Sequence, residues 1–171
     1  MKTETKNLTT YAFIDASNII YGTRDDGWKV DFRKLISYLH NRYNCKKIYY
    51  FAGLDKKNKQ QQKFYTLLKS LGYDLMLKVV KLYPQPGGGV VRKANCDVGL
   101  TFYAMRDQDL FERGIFLTGD GDFEVLLKYF LEKKKTIIVI ANARRTAREI
   151  KKLSGIQFND LGSLKGTLER H

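Results

Sequence analysis

Strand-length segments made almost entirely of apolar residues alternate with segments of helical periodicity along this chain. Apolar segments of this kind are typical of strands that are buried on both faces, as in parallel sheets covered by helices. The predicted strands lie within residues 11–17, 46–53, 74–84, 114–120, 136–142 and 156–160. The alternation therefore predicts an α/β fold with a mostly parallel sheet of five to six strands and helices on both faces.

The segments between these strands predict helices and two loops. The helices follow Asp31, end at Gly72, and cover about 95–106, 123–134 and a basic stretch at 143–155. The predicted helical core includes Phe64, Phe102, Phe123 and Tyr129. Residues 21–28 are expected to form a loop, whose Tyr21 and Trp28 either stack on unpaired bases or pack on the domain. The Pro- and Gly-rich segment 84–95 is expected to be a second loop, either a substrate-contacting flap or a hairpin turn.

The length of 171 residues is that of one ordinary domain. With 43% hydrophobic residues and no repeat, low-complexity tract or linker, the chain is expected to fold as a single domain over 1–171. Its core is expected at about 11–161, with a short extension at each end.

The charge balance narrows the class of partner. Lys and Arg number 31 against 18 Asp and Glu, which gives a net charge of +13. A surplus of this size attracts polyanions, so nucleic acid or an anionic membrane surface is favoured, although a basic surface without such a partner stays open.

Cysteine and histidine usage argues against a structural zinc site. Cys45 and Cys96 are far apart and lie in no Cys/His cluster, and the histidines are His40 and His171. We find neither a signal peptide nor an apolar run of about 20 residues that could span a membrane. We therefore expect a cytoplasmic protein in a reducing compartment, without a membrane partner. Assembly as a homodimer stays open.

Carboxylates follow two of the apolar strands. Asp15, with Asn18 behind it, ends the first strand, and Asp120 and Asp122 follow the segment FLT. Asp97, near a predicted helix N-terminus, is the fourth candidate. Each alone is readily explained as a turn or cap residue. Ligand sites of open parallel sheets lie at the carboxyl ends of the strands, so together they predict an oxygen-only site suited to Mg²⁺ or Mn²⁺.

The motifs FIDASN, KANCDV and TGDGDFEVLLKYF occur in this order at α/β-sized intervals. In this respect the chain resembles the NYN domain, a branch of the PIN-like superfamily of metal-dependent ribonucleases that includes LabA-like proteins. The likeness extends from Tyr11 to about the segment FNDLGSL. It implies a Rossmann-like PIN fold and Mg²⁺- or Mn²⁺-dependent cleavage of RNA. We expect endonucleolytic cleavage, and exonucleolytic cleavage stays open. By motif position, the likeness implies that the site residues are Asp15, Asn18, Asp97, Thr118, Asp120 and Asp122.

The chain departs from the family pattern at three positions. Thr118 replaces the usual serine and keeps a hydroxyl, and Ala94 replaces a glycine. Tyr103 stands where many members carry a further aspartate. This last change favours an alternative, a weakly active or inactive PIN-like module that binds RNA or acts as a scaffold.

The resemblance suggests a role for each residue. We expect Asp15 and Asp120 to ligate the principal metal ion, Asp97 and Asp122 to complete the site directly or through water, and water to attack the phosphorus. Asn18 would orient a ligand or donate a hydrogen bond to phosphate, and Thr118 would hold the turn.

Basic residues are expected to contact the substrate backbone. The candidates are Arg92, Lys93, Arg144, Arg145 and Arg148. DNA stays open as an alternative substrate. A haloacid dehalogenase-type phosphohydrolase is disfavoured because FIDASN lacks a second aspartate two residues after Asp15.

Overall fold

A computed structural model of the chain describes residues 8–171, apart from the side chain of Arg92. Within these residues the strands are β1 (Thr10–Asp15), β2 (Cys45–Leu54), β3 (Asp74–Val79), β4 (Lys81–Pro84), β5 (Val90–Lys93), β6 (Arg113–Leu117), β7 (Thr136–Ala141) and β8 (Gln157–Asp160). Six of them form a parallel sheet in the order β3-β2-β1-β6-β7-β8, as the strand pattern predicts, and β4 and β5 form a separate antiparallel hairpin.

Helices cover both faces of the sheet. They are α1 (Ala16–Asp25), α2 (Phe32–Tyr43), α3 (Lys59–Leu71), α4 (Asp97–Arg106), α5 (Glu124–Glu132), α6 (Arg148–Lys151) and α7 (Lys165–Leu168). One hydrophobic cluster joins α1, α2, α3 and α7 to the first face, and a second joins α4, α5 and α6 to the other. Successive strand residues serve the two clusters in turn, because side chains alternate across a sheet. Ala12 and Ile14 belong to the first cluster and Phe13 to the second, and all three are fully buried.

Helix α2 begins and helix α3 ends where the local sequence predicts. The Asp31 carboxylate accepts a hydrogen bond from the backbone N–H of Arg33 at 2.8 Å, which caps the N-terminus of α2. Gly72, with φ of 103°, ends α3 in the left-handed conformation that glycine adopts without steric cost.

The single long strand predicted over 74–84 is wrong, because the chain there forms two strands. β3 pairs with β2 only as far as Val79, opposite Leu54, where β2 itself ends. The Val80 N–H makes one more hydrogen bond, to the Leu54 carbonyl at 3.0 Å, and from Lys81 onward the chain leaves the main sheet. It instead pairs with residues 90–93 across a turn in which Gly87 and Gly88 have positive φ. The expected loop at 84–95 is thus a hairpin turn followed by strand β5.

Two predictions, one on α1 and one on α4, are also wrong. Residues 21–25 belong to α1 rather than to a loop. Of the two interpretations of Trp28, packing on the domain is confirmed, because Trp28 is only 4% exposed and lies in the core. On α4, Phe102 is 58% exposed instead of buried, whereas Phe123 is 2% exposed, as expected.

The basic helix predicted over 143–155 is restricted to α6. The Asn142 backbone carbonyl accepts hydrogen bonds from the backbone N–H groups of Arg145 and Thr146 and from the Thr146 hydroxyl. Ala147 is extended, with ψ of 142°, and its N–H donates to Gly119. The local bonds to the Asn142 carbonyl and the tertiary bond to Gly119 hold residues 142–147 in a turn, so that the helix starts only at Arg148.

No helix within residues 8–171 is both long and apolar enough to cross a bilayer.

The C-terminal end of α4 is anchored to β2 by a buried carboxylate. Asp107 accepts hydrogen bonds from the Tyr49 hydroxyl at 2.5 Å and from the Arg106 guanidinium at 2.6 Å. The bonds from Arg106 and then Tyr49 lower the pKa of Asp107 against the effect of burial. This anchor fixes the helix whose first residue is Asp97.

We expect the substitution Asp107→Asn to lower the free energy of unfolding by about 1–3 kcal/mol at neutral pH, because it weakens hydrogen bonds to a buried charge. The lowered pKa means that the carboxylate stabilises the fold above the unfolded-state pKa of about 3.9 and loses this effect as the pH falls through the folded-state value. Urea unfolding of both proteins should therefore show a difference that shrinks below about pH 4. If the free energies of unfolding of the two proteins differed by the same amount at neutral pH and below about pH 4, the charge of Asp107 would not be what stabilises the fold.

Candidate functional site

The sequence-predicted aspartates surround the point where the strand order reverses. From β1 the chain proceeds through β2 and β3 on one side and later returns to β6 on the other side. Asp15 is the last residue of β1, and Asp120 and Asp122 lie in the loop after β6. Ligands of open parallel sheets bind in the crevice at this kind of reversal.

Three carboxylates converge at this crevice and are called the acidic cluster below. Asp97, Asp120 and Asp122 each place a carboxylate oxygen within 4.8 Å of the other two. Asp97 and Asp120 are half-buried, whereas Asp122 is exposed. Asp15 lies beside the cluster, near enough for Asp97 and Asp120 to affect its pKa.

The electrostatics of the site oppose ionisation. Burial raises the pKa of Asp97, and the neighbouring charges of Asp120 and Asp122 raise it further, while Lys93 acts in the opposite direction. Burial also raises the pKa of Asp15. The carboxylates therefore repel one another, and a bound cation would relieve that repulsion.

Hydrogen bonds join Asp15 to the loop after β6. The Thr118 hydroxyl donates to Asp15 Oδ2 at 3.2 Å and accepts from the Asp120 backbone N–H at 3.3 Å. Asn18 accepts through its Oδ1 from the Gly119 N–H at 3.0 Å. Asn18 and Thr118 thus tie the start of α1 to the loop that carries Asp120.

Close backbone packing shapes the same loop. The Asp120 carboxylate accepts from the Asp122 N–H at 3.0 Å, which caps a short 3-10 helix at Gly121–Phe123. A Cβ on Gly119 would lie 2.6 Å from Thr146 Oγ1 and 3.0 Å from the Thr146 Cα, so that only glycine fits there.

A sequence model of the NYN domain matches residues 9–161, which include the acidic cluster and every strand of the main sheet. The chain belongs to the NYN domain family. NYN domains are a branch of the PIN-like superfamily, as the motifs predict. The family implies a PIN-like nuclease fold for this chain.

Two known proteins resemble this NYN domain. The first is the low amplitude and bright protein LabA of Synechococcus elongatus, which is 27% identical over 162 residues, or 92% of this chain and 86% of LabA. The second is a protein of unknown function from Vibrio parahaemolyticus, whose crystal structure has a TM-score of 0.73. At 22% identity, with 92% of this chain and 97% of that one covered, this likeness shows the fold.

The donor set of this NYN domain fits a hard divalent cation. The acidic cluster offers carboxylate oxygens, which suit Mg²⁺ or Mn²⁺. Cys96 precedes Asp97, but burial raises the pKa of its thiol, and the thiol points to the Ala94 carbonyl at 3.7 Å. The group of potential ligands found in the described residues is accordingly made of the three carboxylates, without Cys96.

The basic residues predicted to contact nucleic acid lie in different surroundings. Lys93 is exposed at the end of β5, where its charge acts on Asp97. Arg144 and Arg145 form ion pairs with Asp26 and Asp25 at the end of α1. Arg148 is exposed at the start of α6, and the side chain of Arg92 is outside the described part of the chain.

Tyr103 does not face the acidic cluster as an alternative ligand would. Its ring packs 5.4 Å from the Tyr49 ring and 5.9 Å from the Phe51 ring, measured between centroids. The Arg106 guanidinium lies 4.4 Å from the centre of the Tyr103 ring. Tyr103 thus contributes to the packing of α4 on the sheet.

Sequence reasoning missed Asn95. Its Oδ1 accepts from the Asp97 N–H at 2.8 Å, and its backbone carbonyl accepts from Lys78 Nζ at 2.9 Å. It thereby orients the first turn of α4. An asparagine two residues before a helix-starting aspartate is a signal for such an Asx turn and could have been recognised.

We expect Gly119→Ala to lower the free energy of unfolding by about 1–3 kcal/mol, because the added methyl group would displace Thr146 or the loop that carries Asp120. Gly166→Ala is the matched control, since a Cβ there meets no atom within 4 Å. The control should be as stable as the unchanged protein or slightly more stable, as measured by urea unfolding. Equal stabilities of the two variants would show that the contact with Thr146 is unimportant.

We expect Mn²⁺ to raise the melting temperature of the unchanged protein, since an ion at 100 times its dissociation constant adds about 2.7 kcal/mol to stability. Asp97→Asn should abolish most of this rise. In EDTA the same variant should be more stable than the unchanged protein, because it removes one of the repelling charges.

Asp109→Asn is the control for this metal titration, because Asp109 is exposed before the amino end of β6, outside the cluster. A Mn²⁺-induced rise that is the same in Asp97→Asn and Asp109→Asn would exclude Asp97 as a ligand.

Proposed function

We propose that this NYN domain is a Mg²⁺- or Mn²⁺-dependent ribonuclease that cleaves RNA endonucleolytically. The observation that carries the proposal is the convergence of Asp97, Asp120 and Asp122 at the strand-order reversal. Membership in a family with a PIN-like nuclease fold supports the same chemistry.

The acidic cluster and Asp15 are the residues that would hold the metal. A bound divalent ion would supply charge neutralisation of the scissile phosphate and a lowered pKa for the attacking water. Asp15 is held by the Thr118 hydroxyl and by the Asn18 backbone N–H, at 3.2 Å and 3.4 Å. Asn18 and Thr118 are therefore assigned to positioning Asp15 and the Asp120 loop.

Basic residues outside the cluster would bind the RNA backbone. The chain has a net charge of +13 although its proposed centre is acidic. Lys93 lies at the cluster, and Arg148 is exposed on the helix that packs against the Gly121–Phe123 turn. Arg144 and Arg145 would first have to exchange their aspartate partners for phosphates, which makes them weaker candidates.

A second candidate function is an RNA-binding module with little or no turnover. The observation that favours it is the packing of Tyr103 in an aromatic cluster at a position where many family members carry an aspartate. Such a module would bind RNA with an affinity that falls steeply with salt and is unaffected by a chelator.

We expect the protein to cut a labelled circular single-stranded RNA in Mn²⁺ and to lose this activity in EDTA. A circular substrate has no ends, so that a product requires endonucleolytic cleavage. Asp15→Asn and Asp120→Asn should each lower kcat/KM by at least about 100-fold, since the loss of residues that merely support metal ligands already costs about 10–100-fold. Asp109→Asn should cleave at the unchanged rate.

Cleavage by Asp120→Asn at the unchanged rate would refute the assignment of the acidic cluster. Salt-dependent RNA binding without product in Mn²⁺ or Mg²⁺ would instead support the second candidate.

A further inference from the structure

A cavity of about 490 Å³ opens at the start of α1, next to the residues that follow Asp15. Ala16 and Ser17, which directly follow Asp15, form part of its wall, and Ala94, three residues before Asp97, forms another part. The remaining wall comes from later residues of α1, from β2 and the segment after it, from α3 and from Val80. Its volume is in the range of about 300–1,000 Å³ that ligand pockets occupy.

Aromatic rings line the inner part of this cavity. The Tyr50 ring lies 6.3 Å from that of Tyr65 and 6.5 Å from that of Phe64, at interplanar angles of 65° and 75°. Tyr65 donates its hydroxyl hydrogen to the Gly53 carbonyl at 2.6 Å. Tyr50 is fully buried, and its hydroxyl has no hydrogen-bond partner among the described residues. Burying a hydroxyl group without a hydrogen-bond partner costs free energy. Packing of the hydrophobic core alone therefore does not explain why a tyrosine occupies this position.

The mouth of the cavity carries a stacking surface. Tyr21 is 46% exposed, and the Arg24 guanidinium lies 4.7 Å from the centre of its ring. Aromatic rings and guanidinium planes are the surfaces on which proteins stack unpaired bases.

Amide groups add hydrogen-bonding capacity at the rim. Asn58 Oδ1 accepts from the Gln61 N–H at 3.0 Å, and Gln61 Oε1 accepts from the Asp55 N–H at 2.7 Å. Both residues line the cavity, and because these bonds use the amide oxygens, the NH₂ groups of Asn58 and Gln61 can act as donors.

We propose that this cavity is a base pocket, which receives one unpaired nucleobase next to the phosphate at the acidic cluster. The inference rests on the proposed function, because it assigns a part of the same substrate. The combination of aromatic walls, a cationic stacking pair and amide donors is the chemistry that recognises a base rather than a phosphate or an aliphatic group. A paired base is stacked within its duplex and cannot enter, so the pocket selects single-stranded RNA.

The test uses Asp120→Asn, which is expected not to cleave, with Mn²⁺ and single-stranded RNA octanucleotides. In a series of such octanucleotides, one fluorescent 2-aminopurine replaces the base at a different position each time. We expect binding to quench its fluorescence strongly at one position, where the base stacks in the pocket, and not when the same strand is in a duplex.

Two variants in this background change the pocket. Ser17→Phe places a ring in the cavity from an exposed helical position, and Tyr21→Ala removes the stacking surface. Each should abolish the position-specific quenching and weaken binding about tenfold, within the effect of removing one base–aromatic stack. Ser37→Phe is the matched control, because Ser37 is also an exposed helical serine but lies on α2 outside the cavity, and it should behave as the background does.

The outcomes separate the base pocket from the ribonuclease activity. Binding without quenching at any position, or quenching that survives in both Ser17→Phe and Tyr21→Ala, would overturn the pocket, whereas cleavage of circular RNA by the unchanged protein would still support the ribonuclease. Position-specific quenching that both variants lose would support the pocket even if no RNA were cleaved.

Discussion

The parallel pairing of β1 with β6 is the interaction on which the site depends. These strands are far apart in sequence, and their register ends with Ile14 opposite Leu117. The residues that follow this pair are Asp15, the last residue of β1, and Thr118, the first residue after β6, and they form a hydrogen bond at 3.2 Å. A shift of the register by one residue would turn the buried side chains to the opposite face and separate these two groups, so the hydrophobic packing of the sheet also fixes the geometry of the site.

The chain as a whole is positively charged, whereas its proposed metal site is negatively charged. The whole chain carries +13, which concentrates polyanions near the surface, whereas the acidic cluster gathers like charges in a half-buried crevice. Burial raises the pKa of Asp97 most, and the charges of Asp120 and Asp122 raise it further, so the like charges oppose one another. Folding energy from the two hydrophobic clusters on either side of the sheet holds the carboxylates together despite their repulsion.

Periodicity and local caps were sufficient to predict the parallel sheet, the ends of helices at Asp31 and Gly72, and the residues at the strand ends. Where tertiary hydrogen bonds replaced local ones, prediction failed. The turn at residues 142–147 depends on bonds to Gly119 and on the Asn142 side chain reaching Gly22, and no local pattern reports them. Likewise, the break after Val79 reflects the end of the neighbouring strand rather than a property of its own residues.

The order of the strands along the chain, the carboxylates at their ends and the surplus of basic residues can be recognised from the amino-acid sequence, because they are matters of residue type and spacing. The meeting of Asp97 with Asp120 and Asp122, the ion pairs of Arg144 and Arg145, and the aromatic cavity beside Asp15 follow from tertiary structure alone. Each of these features brings together segments that are distant in sequence. The distance between those segments in space is set by the strand order, the register and the packing of helices on the two faces of the sheet.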